Sequence, residues 1–153
     1  MIEGPYLSTV SATIQAAIAP VFLLAGIGAF LNVMVGRLAR IVDRARQIEQ
    51  LHPRSTGPEH DRHVWELRLI SRRISVINTA IFLCVTSALA ICAVVALLFV
   101  SRLANLHVGA LVAVSFILSM GLLMAGLIYF LLEVRMSRSA VHIREELLEL
   151  DRK

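Results

Sequence analysis

Three long apolar segments constrain the fold of this chain more than any other feature. They cover about residues 14–35, 77–100 and 108–132, and a helix needs about 20 apolar residues to cross ~30 Å of hydrocarbon. Hydrophobic residues make up 58% of the 153 positions, above the roughly 45–50% of ordinary soluble domains. The sequence therefore predicts an all-α integral membrane protein with three transmembrane helices, built as a single membrane domain over residues 1–153.

The first apolar segment continues into a charged segment without a helix-breaking residue. From Gly36 onward the chain is amphipathic, and the next breaker is the sequence PRSTGP at 53–58. We therefore expect a helical hairpin over about residues 37–76, whose two arms lead into the first and second spans. The third helix is expected to have its own cytoplasmic extension, a C-terminal helix over about residues 134–152.

Apolar residues recur at spacings of three and four in each of these charged segments. They are Leu38, Ile41, Ala45 and Ile48 in the first arm, Val64, Leu67, Ile70, Ile74 and Ile77 in the second, and Met136, Ala140, Ile143, Leu147 and Leu150 in the tail. Such spacing is typical of helices that associate along an apolar seam, as in a coiled coil. The seams could pair within one chain or between chains.

The fifteen basic residues are distributed very unevenly. Nine lie between the first and second spans, five follow the third span, one lies in the short turn after the second span, and none precedes the first. Because positively charged loops stay in the cytoplasm, the N-terminus is predicted to be outside. The long connection and the C-terminus are predicted to be cytoplasmic.

Polar side chains within the spans are candidates for lining a pore. Ser8, Ser11 and Gln15 share one face of the first helix, and Asn32 lies deeper in the same helix. Glu133 lies where the third span meets the cytoplasm, a depth at which acidic residues often mark an ion path. Each has a structural alternative: a hydrogen bond between helices for Asn32, and an ion pair with an interfacial arginine for Glu133.

Small residues on the helices predict close helix packing. They are Ala25, Gly28 and Gly36 in the first helix, on a stripe with Asn32 that continues to Ala39 and Asp43, and Ser115, Ser119 and Gly126 in the third. Small side chains let helix backbones approach each other in lipid. We expect the Asp43 carboxylate to pair on its own helix surface with an arginine three residues away, and Trp65 to pack in the hairpin.

Five arginines lie within about a helical turn of the predicted inner boundary: Arg37, Arg40, Arg72, Arg73 and Arg135. Anionic lipid head groups attract such residues by about 1 kcal/mol each near the membrane surface. The alternative is a charged vestibule that concentrates anions at a pore mouth. The bilayer is therefore the predicted partner, and nucleic acid is not.

No motif points to catalysis or to a bound cofactor. The chain has no nucleophile motif, no glycine-rich phosphate loop, no C-x-x-C and no H-E-x-x-H. His52, His60 and His63 lie near the hairpin turn, where chance histidines in a polar loop explain them better than a metal site. We therefore predict that the protein is not an enzyme and that it holds no metal or cofactor.

Two blocks of sequence resemble a widespread family of small bacterial inner-membrane proteins, catalogued as a domain of unknown function. The first is AIAPVFLLAGIGAFLNVMVGRLARIVDRARQIE (17–49), and the second is ELRLISRRISVINTAIFLCVTSAL (66–89). The segments PVFLLAGIGA and RLARIVDRAR are the most specific parts. The resemblance implies a three-helix protein of the bacterial inner (plasma) membrane.

Two functions fit these features. The first is a homo-oligomer that forms an ion channel or a small-solute pore lined by the first helix, because three helices do not readily enclose an aqueous path alone. The second is a non-conducting scaffold or regulatory subunit that binds a cytoplasmic protein partner through its helical bundle. A scaffold of this kind would leave an apolar seam uncovered in the isolated protein.

Overall fold

The computed structural model of the chain describes residues 5–51, 57–104 and 109–145. Side chains are described within 14–50, 57–104 and 109–137, apart from Ala16, Pro58, Glu59, Asp61, Arg62 and Arg102. The described secondary structure consists of three helices: α1 (Pro5–Leu51), α2 (Pro58–Leu103) and α3 (Gly109–Glu145). The predicted all-α fold with three helices is confirmed.

Each helix contains a segment that is long and apolar enough to cross a membrane. These segments are Ala17–Gln50, His63–Ser101 and Gly109–Ser137. A straight helix with the 47 residues of α1 would rise about 70 Å, more than twice the ~30 Å of hydrocarbon. The helices therefore contain more turns than the membrane interior can hold.

The boundaries of α1 and α2 follow the breaker residues. α1 is continuous through Pro20 and across Gly36, as the lack of a later breaker predicts, and it ends at Leu51. Gly57 has a φ of 69°, a left-handed conformation that glycine adopts at no steric cost. Pro58 then opens α2, where its fixed φ suits the first helical position. The predicted break thus lies between the two helices, and residues 52–56 are outside the described part.

The chain forms two compact units, each built from parts of all three helices. The first unit comprises Met1–Val33 with Phe82–Ala125, and the second comprises Met34–Ile81 with Gly126–Lys153.

A buried hydrogen bond links α2 and α3 in the first unit, and a second lies within α3 beside it. The Oγ of Ser87 donates to the carbonyl oxygen of Ser119 over 2.8 Å, and the Oγ of Ser119 donates to the carbonyl oxygen of Ser115 over 2.8 Å. Ser87 and Ser119 are fully buried, so each hydroxyl needs such an acceptor. Among the described side chains of this unit, the buried apolar residues include Ala17 and Ile27 on α1 and Cys84, Ile91 and Val94 on α2.

The second unit contains the apolar seam of the α1–α2 hairpin. Ile41 and Ile48 of α1 are buried together with Ile70 of α2. Ala45, Leu67 and Ile74 pack against this cluster. The seams of the two arms therefore pair within one chain. In the tail seam Met136 is half-buried, and the side chains of Ala140, Ile143, Leu147 and Leu150 lie outside the described part.

Candidate functional site

One buried carboxylate joins all three helices in the second unit. Glu133 of α3 is fully buried, and its Oε2 lies 3.3 Å from Nε of Arg37 on α1. Its Oε1 accepts a hydrogen bond of 2.9 Å from Nη2 of Arg73 on α2. The same Arg73 nitrogen donates to Oγ of Ser137 over 3.0 Å. Each helix thus contributes a charged side chain to one cluster, which we call the Glu133 cluster.

The Glu133 cluster has more positive than negative charge. Two guanidinium groups share one carboxylate, which leaves a formal charge of +1. Arg37 also lies over the ring of Phe130, 5.6 Å from its centroid, within the range of a cation–π contact. Arg73 Nε and Glu133 Oε2 are buried and make no hydrogen bond with the described residues, so the pairing leaves these polar atoms incompletely satisfied. An uncompensated charge at this place would cost far more.

Of the two interpretations of Glu133, an ion path or an ion pair with interfacial arginines, the structure contains the ion pair. Two of the five predicted interfacial arginines, Arg37 and Arg73, belong to the Glu133 cluster. Arg40 is exposed, and its Nε donates to the carbonyl oxygen of Gly36 over 3.3 Å. Arg72 and Arg135 are exposed and have no ion pair with the described part of the chain. Of the five predicted interfacial arginines, Arg40, Arg72 and Arg135 are therefore open to an outside partner.

Two polar residues of α1 are open to the surroundings of the chain. Gln15 and Asn32 are both exposed, and neither amide makes a hydrogen bond with the described residues. Ile27 and Met34 of the same helix are buried, so α1 has one covered side and one open side. Ser8 and Ser11 lie in α1, but their side chains are outside the described part.

The small residues predicted to pack are found in two different settings. Ala25, Gly28 and Gly36 are exposed, and a Cβ added to either glycine would meet no atom within 4 Å. On α3, Ser119 and Gly126 are buried and Ser115 is half-buried, with Ser119 in contact with α2. The structure therefore uses the small residues of α3 for packing within the chain and leaves those of α1 open.

Two expectations about the hairpin are wrong. Asp43 is exposed and forms no ion pair among the described residues, because Arg40 bonds the backbone and Arg44 turns to Glu66 of α2. Trp65 does not pack in the hairpin, since 58% of its surface is exposed. Sequence reasoning also missed the Arg44–Glu66 pair, which is 2.8 Å long. The opposite charges on facing arms were its only signal.

Potential metal ligands do not cluster in the part of the chain that the structure describes. No three His, Cys, Asp or Glu side chains come together there. Cys84 is buried, Cys92 is exposed, and both are free thiols.

Comparison with known proteins gives a family and no individual relative. No curated protein matches the chain with significant similarity, and no solved structure does. Residues 17–143 match the family described as protein of unknown function DUF2721. This range covers most of the 153 residues, including all three candidate spans and the Glu133 cluster. The chain therefore belongs to the DUF2721 family.

Proposed function

We propose that this protein is a homo-oligomer in the membrane, and that its α1 helices surround an aqueous path for an ion or a small solute. The exposure of Gln15 and Asn32 carries this proposal. Both amides lie within or beside an apolar span, where lipid offers them no hydrogen-bond partner. An unpaired amide in an apolar medium costs several kcal/mol, so water or another copy of the chain is the expected neighbour.

The two amides suit different surroundings in such an assembly. On an ideal helix Gln15 and Asn32 point about 100° apart, and both directions lie on the open side of α1. In a ring, each α1 has one face towards the axis and adjoining faces towards its neighbours. We assign Gln15, with Ser8 and Ser11, to the water-filled path. Asn32 is assigned to the contact between subunits, beside Ala25 and Gly28.

The distribution of charge supports an orientation for this assembly. The basic residues lie almost entirely between the apolar segments 14–35 and 77–100 and after residue 132, which favours a cytoplasmic place for both parts of the chain. The N-terminus is then outside, and the membrane is the bacterial inner (plasma) membrane. Arg40, Arg72 and Arg135 are exposed and could contact anionic head groups on the cytoplasmic side.

The alternative function, a scaffold that binds a partner through its cytoplasmic seam, has less support. Ile41, Ile48 and Ile70 are buried against each other inside one chain. The apolar surface that a partner would grip in the α1–α2 hairpin is therefore already covered. Exposed large apolar side chains lie instead along the spans of all three helices, among them Phe22, Phe82 and Ile117.

The proposal is tested by ion flux from liposomes containing the purified protein. Gln15→Leu removes the amide assigned to the path, and we expect flux to change while folding is kept. Asn78→Leu is a matched control, since it replaces an exposed amide on α2 and is expected to leave flux unaltered. The pore account would be contradicted if the natural protein passed no ion or solute, or if both variants behaved alike.

A further inference from the structure

The second unit has an acidic residue on α1 and basic residues on α2 that form no ion pair with the described residues. Asp43 is exposed and forms no ion pair with a described residue, and the same holds for Arg68 and Arg72 on the outer side of α2. Trp65 lies on the same side and is 58% exposed. Exposed tryptophan and arginine are typical of residues at the centre of protein interfaces.

These residues cannot meet within one chain. Ile41 faces α2, and Asp43 points about 160° away from it around the helix. Ile70 faces α1, and Arg68 points about 160° away from it. Asp43 and Arg68 therefore lie on opposite outer sides of the hairpin, where each is open to a neighbouring molecule.

Contacts within the hairpin show which residues lie at the same depth. Arg44 pairs with Glu66, while Arg37 and Arg73 meet on Glu133. Position 37 of α1 is thus level with position 73 of α2, and position 44 is level with position 66. The two helices run in opposite directions, so seven residues forward on α1 correspond to seven residues backward on α2. By this register Asp43 lies level with position 67, one residue from Arg68. Arg46 lies level with position 64, one residue from Trp65.

Equal depth decides which residues can meet in a membrane assembly. Copies related by rotation about the membrane normal keep the same depth, so a contact between them joins residues that are level. The outer side of α1 can then pack on the outer side of α2 of the next copy. Such a contact joins two different surfaces, and repeating it about one axis gives a ring when the rotation closes.

We propose that Asp43 of one subunit forms an ion pair with Arg68 of the next, and that Arg46 stacks on Trp65 of that neighbour. The inference rests on the proposed homo-oligomer and names one of its contacts. The two pairs are mutually consistent, because Asp43 and Arg46 are three residues apart, as are Trp65 and Arg68, and each pair shares a helix face. Ala39 is small and exposed, and by the same register it lies one residue from the level of Arg72. It therefore leaves room for the Arg72 side chain of the neighbouring subunit.

Charge reversal tests the ion pair. The subunit number is measured by native mass spectrometry of the full chain in lipid discs. Arg68→Glu and Asp43→Arg each place like charges together, so we expect each to weaken association by roughly tenfold or more. The double variant restores attraction and is expected to restore the natural subunit number. Glu49→Arg is the matched control, an exposed acid on another side of α1, and should have no effect.

A disulfide test does not require the fold to tolerate a reversed charge. Asp43→Cys with Arg68→Cys, in a background lacking Cys84 and Cys92, is expected to give chains linked to one another on a non-reducing gel. Because the two positions point apart within one chain, a bond between them requires two copies.

The possible results separate this contact from the oligomer itself. If the natural protein is a monomer, both the contact and the proposed function are wrong. If it is an oligomer that Arg68→Glu leaves intact, or if the double variant fails to reassemble, the Asp43–Arg68 contact is wrong and the oligomer stands. If Arg68→Glu abolishes binding to anionic vesicles and leaves the subunit number unchanged, Arg68 contacts lipid and the Asp43–Arg68 contact is wrong.

Discussion

Glu133 is a carboxylate that lies fully inside the second unit, with one arginine from each of the other two helices beside it. A buried ion pair adds little net stability compared with apolar residues of the same shape, because desolvation opposes the attraction. Removal of one partner has a much larger effect, since it leaves charge buried without compensation. In this cluster the loss of the single carboxylate would leave two guanidinium groups facing each other.

Glu133→Gln is therefore expected to lower the free energy of unfolding by about 3–5 kcal/mol. The natural protein and the variant are compared by denaturant unfolding in detergent micelles. Glu66→Gln provides the control, because it breaks the Arg44–Glu66 pair, which is largely exposed and is expected to contribute about 0–1 kcal/mol. Equal effects of the two substitutions would show that the buried cluster is not held by Glu133.

The same variant separates the two interpretations of Glu133. If this residue lines an ion path, Glu133→Gln changes flux or its pH dependence without a comparable loss of stability. If only stability falls, Glu133 acts as the ion pair that holds the helices. The structure favours the second outcome, because the carboxylate has no exposed surface in the single chain.

Residue pairings were the least predictable part of the structure. Charge and depth alone placed Glu133 near arginines, but they did not select Arg37 and Arg73 from the five at that boundary. The choice depends on how three helices are rotated and shifted against each other, which is a property of the packed chain. Asp43 shows the same limit. Its spacing allowed pairs on its own helix, yet the neighbouring arginines bond Gly36 and Glu66.

Helices and their breaks, in contrast, follow local signals in the sequence. The apolar segments set the three helices, and the Gly57–Pro58 pair marks the start of α2. The spacing of Ile41, Ile48 and Ile70 indicated the seam, and the fold shows that it closes within one chain. What the spacing could not decide was which side of α1 stays open. That side is defined only once α2 and α3 are in place.

Asn32 tests the open side of α1 as an element of assembly. If its amide bonds to a neighbouring subunit, Asn32→Leu is expected to weaken helix association by roughly 0.6–2 kcal/mol. The measurement is the concentration at which the oligomer dissociates in detergent. The control is Val33→Leu, an exposed apolar substitution on the same helix. Leu24→Asn would not serve as a control, because it adds a polar group. An unaltered dissociation for Asn32→Leu would remove Asn32 from the subunit contact.

At the scale of the whole molecule, the chain covers little of its own spans. Only 17%, 22% and 11% of the three apolar windows are buried within one chain. Lipid can cover the exposed apolar side chains, but it offers no partner to Gln15 or Asn32. The proposed homo-oligomer would give partners both to the open amides along α1 and to the unpaired charges on the two arms of the hairpin.

The number of subunits is the most direct test of this account. Native mass spectrometry of the natural protein in lipid discs would measure it without a label or a substitution. We expect a single closed ring of roughly four or more subunits, enough for α1 helices to enclose an aqueous path. A monomer or a dimer would place too few helices around any axis and would contradict the proposed pore.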